Sequence, residues 1–534
     1  MPRPPRTTQP QRPGALPQPF LAENLTAARR FKPGNAPLPA APQPVAADSS
    51  TPLTALGAIL LIATYELGHQ PLTLATPLAI LHDAGFAPAA SDTSVEDLSD
   101  DAIRAARLIA ISAPMHTALR LGLQVATRAR ALNPDAGIVF YGLYATLNAA
   151  MLLREHADAI IGGEYQQPLL ALAQSLDAGA TVDALAIPGV QTRHTPSDTA
   201  APLAPRPSVA GTISPRKAGI PHTPARDALP TLDRYARLAQ GDTLTLAGYV
   251  EATRGCLHTC LHCPITPVYG GRFYVNPRAA VLDDIRQQVR AGAGHITFGD
   301  PDFFNGPGHS MAIVRALHDE FPHVTFDATI KVEHIIERRA LVPELGQLGC
   351  AFIVSAVESL SPTVLAHLAK GHTRADVEEA LRILDGAGVP MRPTFVAFTP
   401  WTAAADYLEV LDFIAAHDLI EHVDPIQYAI RLLVPPGSAL LAALDAAAWF
   451  GPLDEATLSH TWAHPDPRMD ALQREVAALV EHAAAQRHTT ADTFAAIRAL
   501  ASTRLNARPP LPMGEGDSGA PSRPIPHLTE AWFC

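Results

Sequence analysis

The chain has 534 residues, of which 47% are hydrophobic and 17% charged, and its formal net charge is −12. This length predicts two or three domains, and the composition is typical of a globular protein. The acidic balance argues against a nucleic-acid partner, because a basic patch is needed to displace phosphate counterions. No apolar run approaches the roughly 20 residues that cross a bilayer, and no secretory signal is visible, so we expect a cytoplasmic protein without a membrane partner.

Composition and pattern divide the chain into six segments. In chain order they are a Pro-rich disordered extension (1–50), a Rossmann-like α/β domain (51–186), a Pro-rich linker (187–240), a partial barrel (241–445), a helical C-terminal region (446–506) and a flexible tail ending in Cys534 (507–534). The two Pro-rich stretches sustain neither a helix nor a central strand, so we expect them to connect domains rather than to form them.

Between the Pro-rich stretches, short apolar runs alternate with helix-like segments. The runs lie at 58–63, 108–111, 137–141 and 158–161. This alternation predicts a doubly wound parallel sheet covered by helices on both faces. Ligands of such sheets bind beyond the carboxyl ends of the strands. Small residues recur at these ends, which would let a large flat ligand approach the backbone closely.

The second half also alternates between strand and helix patterns. Strand candidates lie at 249–252, 295–299, 324–328, 352–356, 392–398 and 423–428. Six β/α repeats fall short of a complete eight-fold barrel, so the sequence predicts a partial (β/α)6 barrel. The fold class is therefore α/β, with the partial barrel followed by a helical region.

Three of the five cysteines follow the first strand candidate of this series. Cys256, Cys260 and Cys263 have the spacing C-x3-C-x2-C. Three thiolates from one loop can hold a 4Fe–4S cluster and leave one iron open to chelate a substrate. The alternative is a zinc site completed by His258 or His262. Structural zinc usually takes two separated ligand pairs, and the sequence has no second pair.

This cysteine motif at the start of a partial barrel resembles the radical S-adenosylmethionine (SAM) superfamily over residues 245–445. The resemblance implies that Cys256, Cys260 and Cys263 ligate the cluster, that the methionyl group of SAM occupies the open iron, and that an electron from the cluster breaks a carbon–sulfur bond of SAM. It also implies an external electron donor of the flavodoxin or ferredoxin type. His262 stands where the superfamily usually has an aromatic residue before the third cysteine.

The resemblance carries over to four SAM-binding positions, Gly299, Asp300, Glu358 and Arg431. The Gly-Gly-Glu-like segment of the superfamily reads Gly299-Asp300 here, with one glycine missing. Asp300 has an equally good interpretation as a cap of the turn before Pro301. Arg431 has the alternative of an ordinary ion pair or surface position.

Three further side chains have ordinary alternatives. Lys331 and His334, after the third strand candidate, are weaker carry-overs of the same resemblance, and the alternative is that they face solvent. Cys350 precedes the fourth candidate and is expected to be a small buried residue rather than a ligand.

A doubly wound domain ahead of the barrel resembles the cobalamin-binding subclass of radical SAM enzymes. The Asp-x-His-x-x-Gly motif that supplies an axial histidine is absent, so cobalamin is expected without that ligand. The implied reaction is methyl transfer to an unreactive centre. Hydrogen abstraction without methylation and a non-catalytic iron–sulfur or zinc module are the alternatives.

The chain ends in the sequence Leu-Thr-Glu-Ala-Trp-Phe-Cys. This ending, together with segments such as 254–264 and 268–273, resembles radical SAM proteins whose tails finish Cys-Cys-Ala-Glu-Pro, or the same with selenocysteine in second place. The resemblance predicts a selenoprotein in which a UGA codon follows Cys534. The alternative is a true stop at Cys534 with a free thiol.

Overall fold

The computed structural model of the protein describes residues 51–194, 216–217, 222–443, 446–506 and 525–530. The predicted extension at 1–50, the middle of the predicted linker and Cys534 lie outside these residues. Two large sheets dominate the described part, and no helix within it is long and apolar enough to span a membrane.

The N-terminal sheet has six strands in the order β2-β1-β3-β4-β5-β6. Their bounds are β1 Ile59–Ala63, β2 Ala89–Asp92, β3 Leu108–Ser112, β4 Gly137–Tyr141, β5 Ala159–Ile161 and β6 Val190–Thr192. Strands β1 to β5 are parallel, and β6 runs antiparallel to β5. Every residue of β1 and β3 is buried, as expected for a parallel sheet with both faces covered.

The second large sheet has seven strands in the order β15-β14-β13-β12-β9-β8-β18. The later strands are β7 Arg216–Lys217, β8 Arg237–Gln240, β9 Thr243–Val250, β10 Thr253–Gly255, β11 Phe273–Val275, β12 His295–Phe298, β13 Thr325–Thr329, β14 Cys350–Glu358, β15 Met391–Phe395, β16 Leu453–Asp454, β17 Ser459–His460 and β18 His527–Leu528. Strands β9, β12, β13, β14 and β15 are parallel, whereas β8 and β18 extend the edge antiparallel. Strands β10, β11 and β7 form a small third sheet, and β16 pairs with β17.

Helices cover both large sheets and continue towards the C-terminus. They are Leu72–Asp83, Asp100–Ala105, His116–Leu132, Leu143–Leu147, Ala149–Glu155, Gln166–Asp177, Ile265–Tyr269, Arg278–Arg290, Pro307–Glu320, Val332–Glu337, Val342–Gln347, Pro362–Leu368, Arg374–Gly386, Ala404–Ala416, Ala446–Trp449, Pro467–Gln486 and Thr490–Arg504. The predicted α/β class, with a Rossmann-like sheet followed by a partial barrel, is confirmed.

The sixth strand of the predicted barrel is reduced to a single bridge. The candidate at 423–428 contains the 3₁₀ helix Pro425–Ala429, and the remaining parallel pairing joins Phe398 to Arg431. Proline has no amide hydrogen for a ladder and fits the first turn of a helix, which explains the change.

The predicted bounds of the linker (187–240) are wrong, because both ends contain strands of the large sheets. Strand β6 belongs to the N-terminal sheet and β8 to the second large sheet. Between them, Arg226 forms a buried ion pair with Asp284 at 2.9 Å and donates to the carbonyl of Gln70. Each of these strands is short and lies in or beside proline-rich sequence, so the sequence pattern did not predict them.

The C-terminal assignments also need correction. The region predicted as helical contains the β16–β17 hairpin. Residues 525–530, which were predicted to be flexible, include β18, which pairs with β8. Glu530 is buried and accepts a hydrogen bond from the hydroxyl of Tyr65. The backbone pairing and this contact join the end of the chain to both large sheets.

Candidate functional site

The cysteine loop lies between β10 and the helix Ile265–Tyr269. Gly255, just before Cys256, has φ +77°, and a Cβ there would lie 2.5 Å from the carbonyl oxygen of Arg272. Only glycine fits this close approach. Farther along, Cys263 donates its amide to the Cys260 carbonyl at 3.2 Å, and the Thr266 hydroxyl donates to the same carbonyl at 2.8 Å. The loop is therefore held by its own backbone and by Thr266.

The three thiols are shielded from solvent. Cys256 and Cys260 are buried, and Cys263 is half-buried. Burial raises the pKa of the Cys256 thiol to about 12, with the Asp302 carboxylate adding to the effect. Burial likewise raises the pKa of the Cys263 thiol to about 11. The Cys256 and Cys263 thiols are therefore protonated at neutral pH, and metal binding would release their protons.

Two lysines supply positive charge beside the thiols. The Lys331 ammonium lies 3.8 Å from the Cys260 sulfur. Lys370 is buried, lies 3.3 Å from Glu358, and interacts electrostatically with Cys260 and Cys263. Such cations favour thiolate over thiol.

Glu358 lies at the end of β14, as predicted, and contacts the cysteine loop. Its carboxylate is 3.2 Å from His262 and 3.3 Å from Lys370. Burial opposes its ionisation, but the Lys370 ammonium and the hydrogen bond from His262 outweigh burial and lower the pKa of Glu358 to about 2. Its φ of +64° is a left-handed conformation that non-glycine residues adopt mainly where function or packing demands it.

Gly299 and Asp300 lie at the end of β12, and both are already in contact with other groups of the protein. A Cβ at Gly299 would meet the hydroxyl of Tyr249 at 1.9 Å. The carboxylate of Asp300 accepts hydrogen bonds from the Ala252 amide at 2.8 Å and the Thr253 hydroxyl at 2.6 Å. Burial raises the pKa of Asp300 to about 7. In this structure Asp300 holds the segment that enters the cysteine loop.

Arg431 contacts the C-terminal region through its side chain. Its guanidinium forms an ion pair with Asp470 at 2.6 Å, donates to the carbonyl of Trp462 at 2.6 Å, and lies 3.3 Å from the centre of the Trp462 ring. The ion-pair alternative raised from the sequence describes these contacts, and SAM binding by Arg431 stays a prediction.

A second polar cluster lies next to the cysteine loop. The buried carboxylate of Asp302 lies 2.6 Å from His334 and 3.6 Å from His258. Lys331 pairs with Glu333 at 2.5 Å. The alternative that Lys331 and His334 face solvent is wrong, because both are buried. Cys350 is buried, as expected, with its sulfur 3.4 Å from the carbonyl of Phe352.

The carboxyl edge of the N-terminal sheet meets the entrance to the cysteine loop. Arg254 makes a two-bonded ion pair with Glu164, at 2.9 and 2.6 Å. Glu164 follows β5, and Arg254 lies two residues before Cys256. Such a bidentate ion pair fixes the orientation of the guanidinium and the carboxylate as well as the distance between them.

The small residues at the strand ends do not all leave room for a ligand. A Cβ at Gly68 would meet Glu530 at 2.9 Å, one at Gly142 the Ala113 carbonyl oxygen at 3.1 Å, and one at Gly162 the Thr146 hydroxyl at 2.2 Å. Only at Gly163, of these four, is there nothing within 4 Å. Three of these four glycines are therefore needed for packing within the chain, and ligand approach at the strand ends stays a prediction.

An open cleft of about 780 Å³ lies beside β6, the edge strand of the N-terminal sheet. Its lining comes from the helices Leu143–Leu147 and Ala149–Glu155, from β6, from Pro267 and Val268 after the cysteine loop, and from Gly437. The cleft therefore adjoins both the edge of the N-terminal sheet and the helix that follows Cys263.

Sequence reasoning missed several side chains at this site. They are Glu164, Arg254, Asp302, Glu333, Lys370 and the pairing of His258 with His334. The available signal was position: Asp302, Glu333 and His334 follow carboxyl ends of barrel strands, where polar residues concentrate at functional sites. Lys370 had no such signal, since it follows the helix Pro362–Leu368 and reaches back by tertiary folding.

Residues 250–413 match the family model of the radical SAM superfamily. The chain thus contains a radical SAM domain and is an enzyme, and the expected 4Fe–4S cluster and SAM are the cofactors of that domain. Among the relatives, a putative methylthiotransferase of Methanocaldococcus jannaschii is 25% identical over 186 residues, which cover 32% of this chain and 39% of the relative. An uncharacterized methyltransferase of Pyrococcus horikoshii is 24% identical over 279 residues, which cover 52% and 57%. The chain therefore aligns with well under two thirds of either relative.

Two solved structures share the fold across both sheets. One is the radical SAM methyltransferase TsrM from Kitasatospora setae, described with cobalamin and a 4Fe–4S cluster bound, at a TM-score of 0.54, 17% identity, and 68% and 73% coverage of the two chains. The other is the cobalamin-dependent SAM radical enzyme OxsB with aqua-cobalamin bound, at a TM-score of 0.60, 16% identity, and 79% and 66% coverage. At these identities the likeness concerns the fold.

Proposed function

We propose that the protein is a radical SAM methyltransferase that uses cobalamin to methylate an unreactive centre. In this proposal, Cys256, Cys260 and Cys263 hold the 4Fe–4S cluster. The observation that carries it is the placement of the cysteine loop, which lies at the barrel mouth and is joined through Arg254 and Glu164 to the carboxyl edge of the N-terminal sheet. A cofactor on each side of this contact would lie close to the other.

The three thiols fit an iron–sulfur cluster by their chemistry. They lie in one folded loop, shielded from water, with Lys331 and Lys370 nearby to offset the charge of thiolates. A cluster bound there supplies the electron for cleavage of SAM and an open iron to chelate it. The chain contributes the enclosure, which protects a reactive species from water.

Glu358 is the strongest of the predicted SAM-binding positions. It is ionised, buried and held between His262 and Lys370, at the carboxyl end of a barrel strand. We assign it to SAM binding, together with the backbone at Gly299. Asp300 supports this site by holding Ala252 and Thr253. Arg431 would have to leave Asp470 in order to take part.

The cleft beside β6 is the place we propose for cobalamin. Its volume of about 780 Å³ suits a large, flat cofactor better than a small metabolite, and Gly437 is among the residues that line it. TsrM and OxsB, which share the fold, are described with cobalamin bound. The corrinoid would serve as the methyl carrier, and an external flavodoxin- or ferredoxin-type protein as the electron source.

Two measurements on anaerobically reconstituted protein test the proposal. The first is retention of hydroxocobalamin on gel filtration, followed by its visible spectrum. The second is SAM turnover to S-adenosylhomocysteine and 5′-deoxyadenosine, in the wild type and in the C256A/C260A/C263A variant. We expect corrinoid retention in both chains, but SAM turnover and cluster iron in the wild type alone.

The outcomes separate the competing functions. SAM cleavage to 5′-deoxyadenosine without corrinoid retention would favour hydrogen abstraction without methylation. Tight zinc binding by the three cysteines without SAM turnover would favour a non-catalytic module. Iron and sulfide that are unchanged after replacement of the cysteines would refute the cluster assignment.

A further inference from the structure

We infer a second, mononuclear metal site beside the cysteine loop, formed by His258, Asp302 and His334. The three side chains come from separate elements: the cysteine loop, the segment after β12, and the helix Val332–Glu337 after β13. One ligand atom from each lies within 4.8 Å of the other two. Two imidazoles and one carboxylate form a donor set that suits Zn²⁺ or Fe²⁺.

The three ligand atoms lie close together, and only one pair of them is within hydrogen-bond distance. Asp302 Oδ2 lies 2.6 Å from His334 Nδ1, within that distance, but 3.6 Å from His258 Nε2, beyond it. His258 Nε2 is buried and has no hydrogen-bond partner in the described part of the chain. The imidazole rings are inclined at 59° with their centres 4.7 Å apart, so they approach Asp302 without stacking face to face. Buried polar atoms without partners are rare and call for an ion or water.

The surroundings supply what a metal-bound histidine usually has. The other ring nitrogen of His258, Nδ1, lies 3.7 Å from Glu333 Oε2. This separation is longer than a hydrogen bond, but it places a carboxylate charge behind the imidazole, the position from which such groups support metal-binding histidines. Glu333 also neutralises the nearby cation Lys331 at 2.5 Å, which reduces the repulsion that a metal ion would meet.

The site is distinct from the cluster site in its donors. It uses nitrogen and oxygen atoms, whereas the cluster is assigned to three sulfurs. Three protein ligands leave a further coordination position for water or for a substrate oxygen, and the His258 side chain is 24% exposed, which leaves an access route. We therefore expect a divalent transition-metal ion that binds even when the cysteines cannot.

Metal content of a chain without the cluster cysteines tests the site. The C256A/C260A/C263A variant is incubated with Zn²⁺, desalted, and measured by inductively coupled plasma mass spectrometry. We expect about one zinc per chain, reduced at least tenfold by adding either D302N or H334Q. Replacement of the exposed His323 by Gln is the matched control and should leave zinc unchanged. Circular dichroism checks that each variant is folded.

The wild-type chain gives a second readout that does not depend on the triple variant folding well. In the wild-type chain with its cluster, zinc should accompany iron, and H334Q should lower zinc relative to iron. No zinc in either chain, or zinc insensitive to both D302N and H334Q, would overturn the site. Zinc retained by the triple variant while the wild type fails to cleave SAM would refute the proposed function alone.

Discussion

At the barrel mouth, Glu358 lies between His262 and Lys370, whereas Glu66, at the end of β1, accepts a hydrogen bond from the neutral hydroxyl of Thr73. As a result, Glu358 is ionised at neutral pH, whereas Glu66 is largely protonated. Burial raises the pKa of Glu66 to about 8, and nearby Asp92 and Glu251 add to this effect. Burial also opposes ionisation of Glu358, but Lys370 and His262 reverse it and the pKa falls to about 2.

The same contrast extends to neighbouring groups. Burial raises the pKa of Glu251 to about 7, despite the opposing influence of Arg254. At the mouth, by contrast, burial of Asp302 is outweighed by His258 and His334, and its pKa is held well below the usual range. Burial alone therefore does not set the charge of a carboxyl group; its partners decide. Cationic partners surround Glu358 near the thiols, whereas the partner of Glu66 is a neutral hydroxyl.

The largest expected effect is that of K370M, which removes the main cation that keeps Glu358 ionised. Removing one partner of a buried ion pair leaves the other charge uncompensated, so we expect a loss of about 3–5 kcal/mol in the free energy of unfolding. Chemical denaturation of the metal-free protein measures it. The double variant K370M/E358L removes both charges and should recover much of the loss. If the double variant is no more stable than K370M, the pair is not what stabilises this region.

The next largest effect is expected for G299A, at the end of β12. An added methyl group would lie 1.9 Å from the Tyr249 hydroxyl, so repacking should cost about 1–3 kcal/mol of unfolding free energy. G386A, in an exposed helix position where nothing lies within 4 Å, is the control and should be neutral or slightly stabilising. A G299A chain that is as stable as the wild type but fails to bind SAM would show that the glycine serves the ligand rather than the ring of Tyr249.

Gly299 shows how far sequence reasoning reaches. The cysteine loop, Glu358 and most barrel strands were predictable, because spacing and apolar runs are local signals that survive folding. The contact of Gly299 with Tyr249, and those of Lys370 with Glu358 and Asp302 with His258, join residues far apart in the chain or of different repeats. No local sequence pattern predicts such tertiary contacts.

The fold shows the same division between local and tertiary signals. Strand β2 has the sequence Ala-Ala-Ser-Asp, and β18 is two residues long in a Pro- and Gly-rich tail. Neither has the apolar run that identifies a buried strand, and both form because a neighbouring strand offers unpaired backbone groups. The expected strand at 423–428 had an apolar pattern but also Pro425, whose effect on the ladder prevailed.

The prediction that Glu66 is protonated in the folded protein is tested with the E66Q variant over a range of pH. The folded state holds the Glu66 proton more tightly than the unfolded state, where the pKa is near 4.5. The contribution of Glu66 to stability is therefore fully present below that pH and is lost as pH rises through about 8. E66Q should flatten the fall in unfolding free energy over this window by at most about 1.4 kcal/mol per pH unit. Melting temperatures from pH 5.5 to 8.5, in steps of about half a unit, measure it.

The exposed Glu337 provides the control for that experiment, since E337Q changes the same functional group without burial. Its profile should run parallel to that of the wild type. Parallel profiles for E66Q as well would mean that Glu66 is ionised throughout this range in the folded protein, and the two regions would then not differ in charge state.

The smallest expected effect comes from R374M, which sets the solvent-exposed reference for K370M. Arg374 pairs with Glu378 at 3.1 Å and with Glu409 at 2.5 Å, but its side chain is 46% exposed. Water and salt screen such pairs, so R374M should cost less than about 1 kcal/mol, and the cost should shrink as salt is added. Both substitutions remove one cation and keep a long apolar side chain, so burial is the main difference between them. A loss for R374M as large as that for K370M would show that partner charge, and not the low-dielectric setting of the barrel mouth, sets the strength of these pairs.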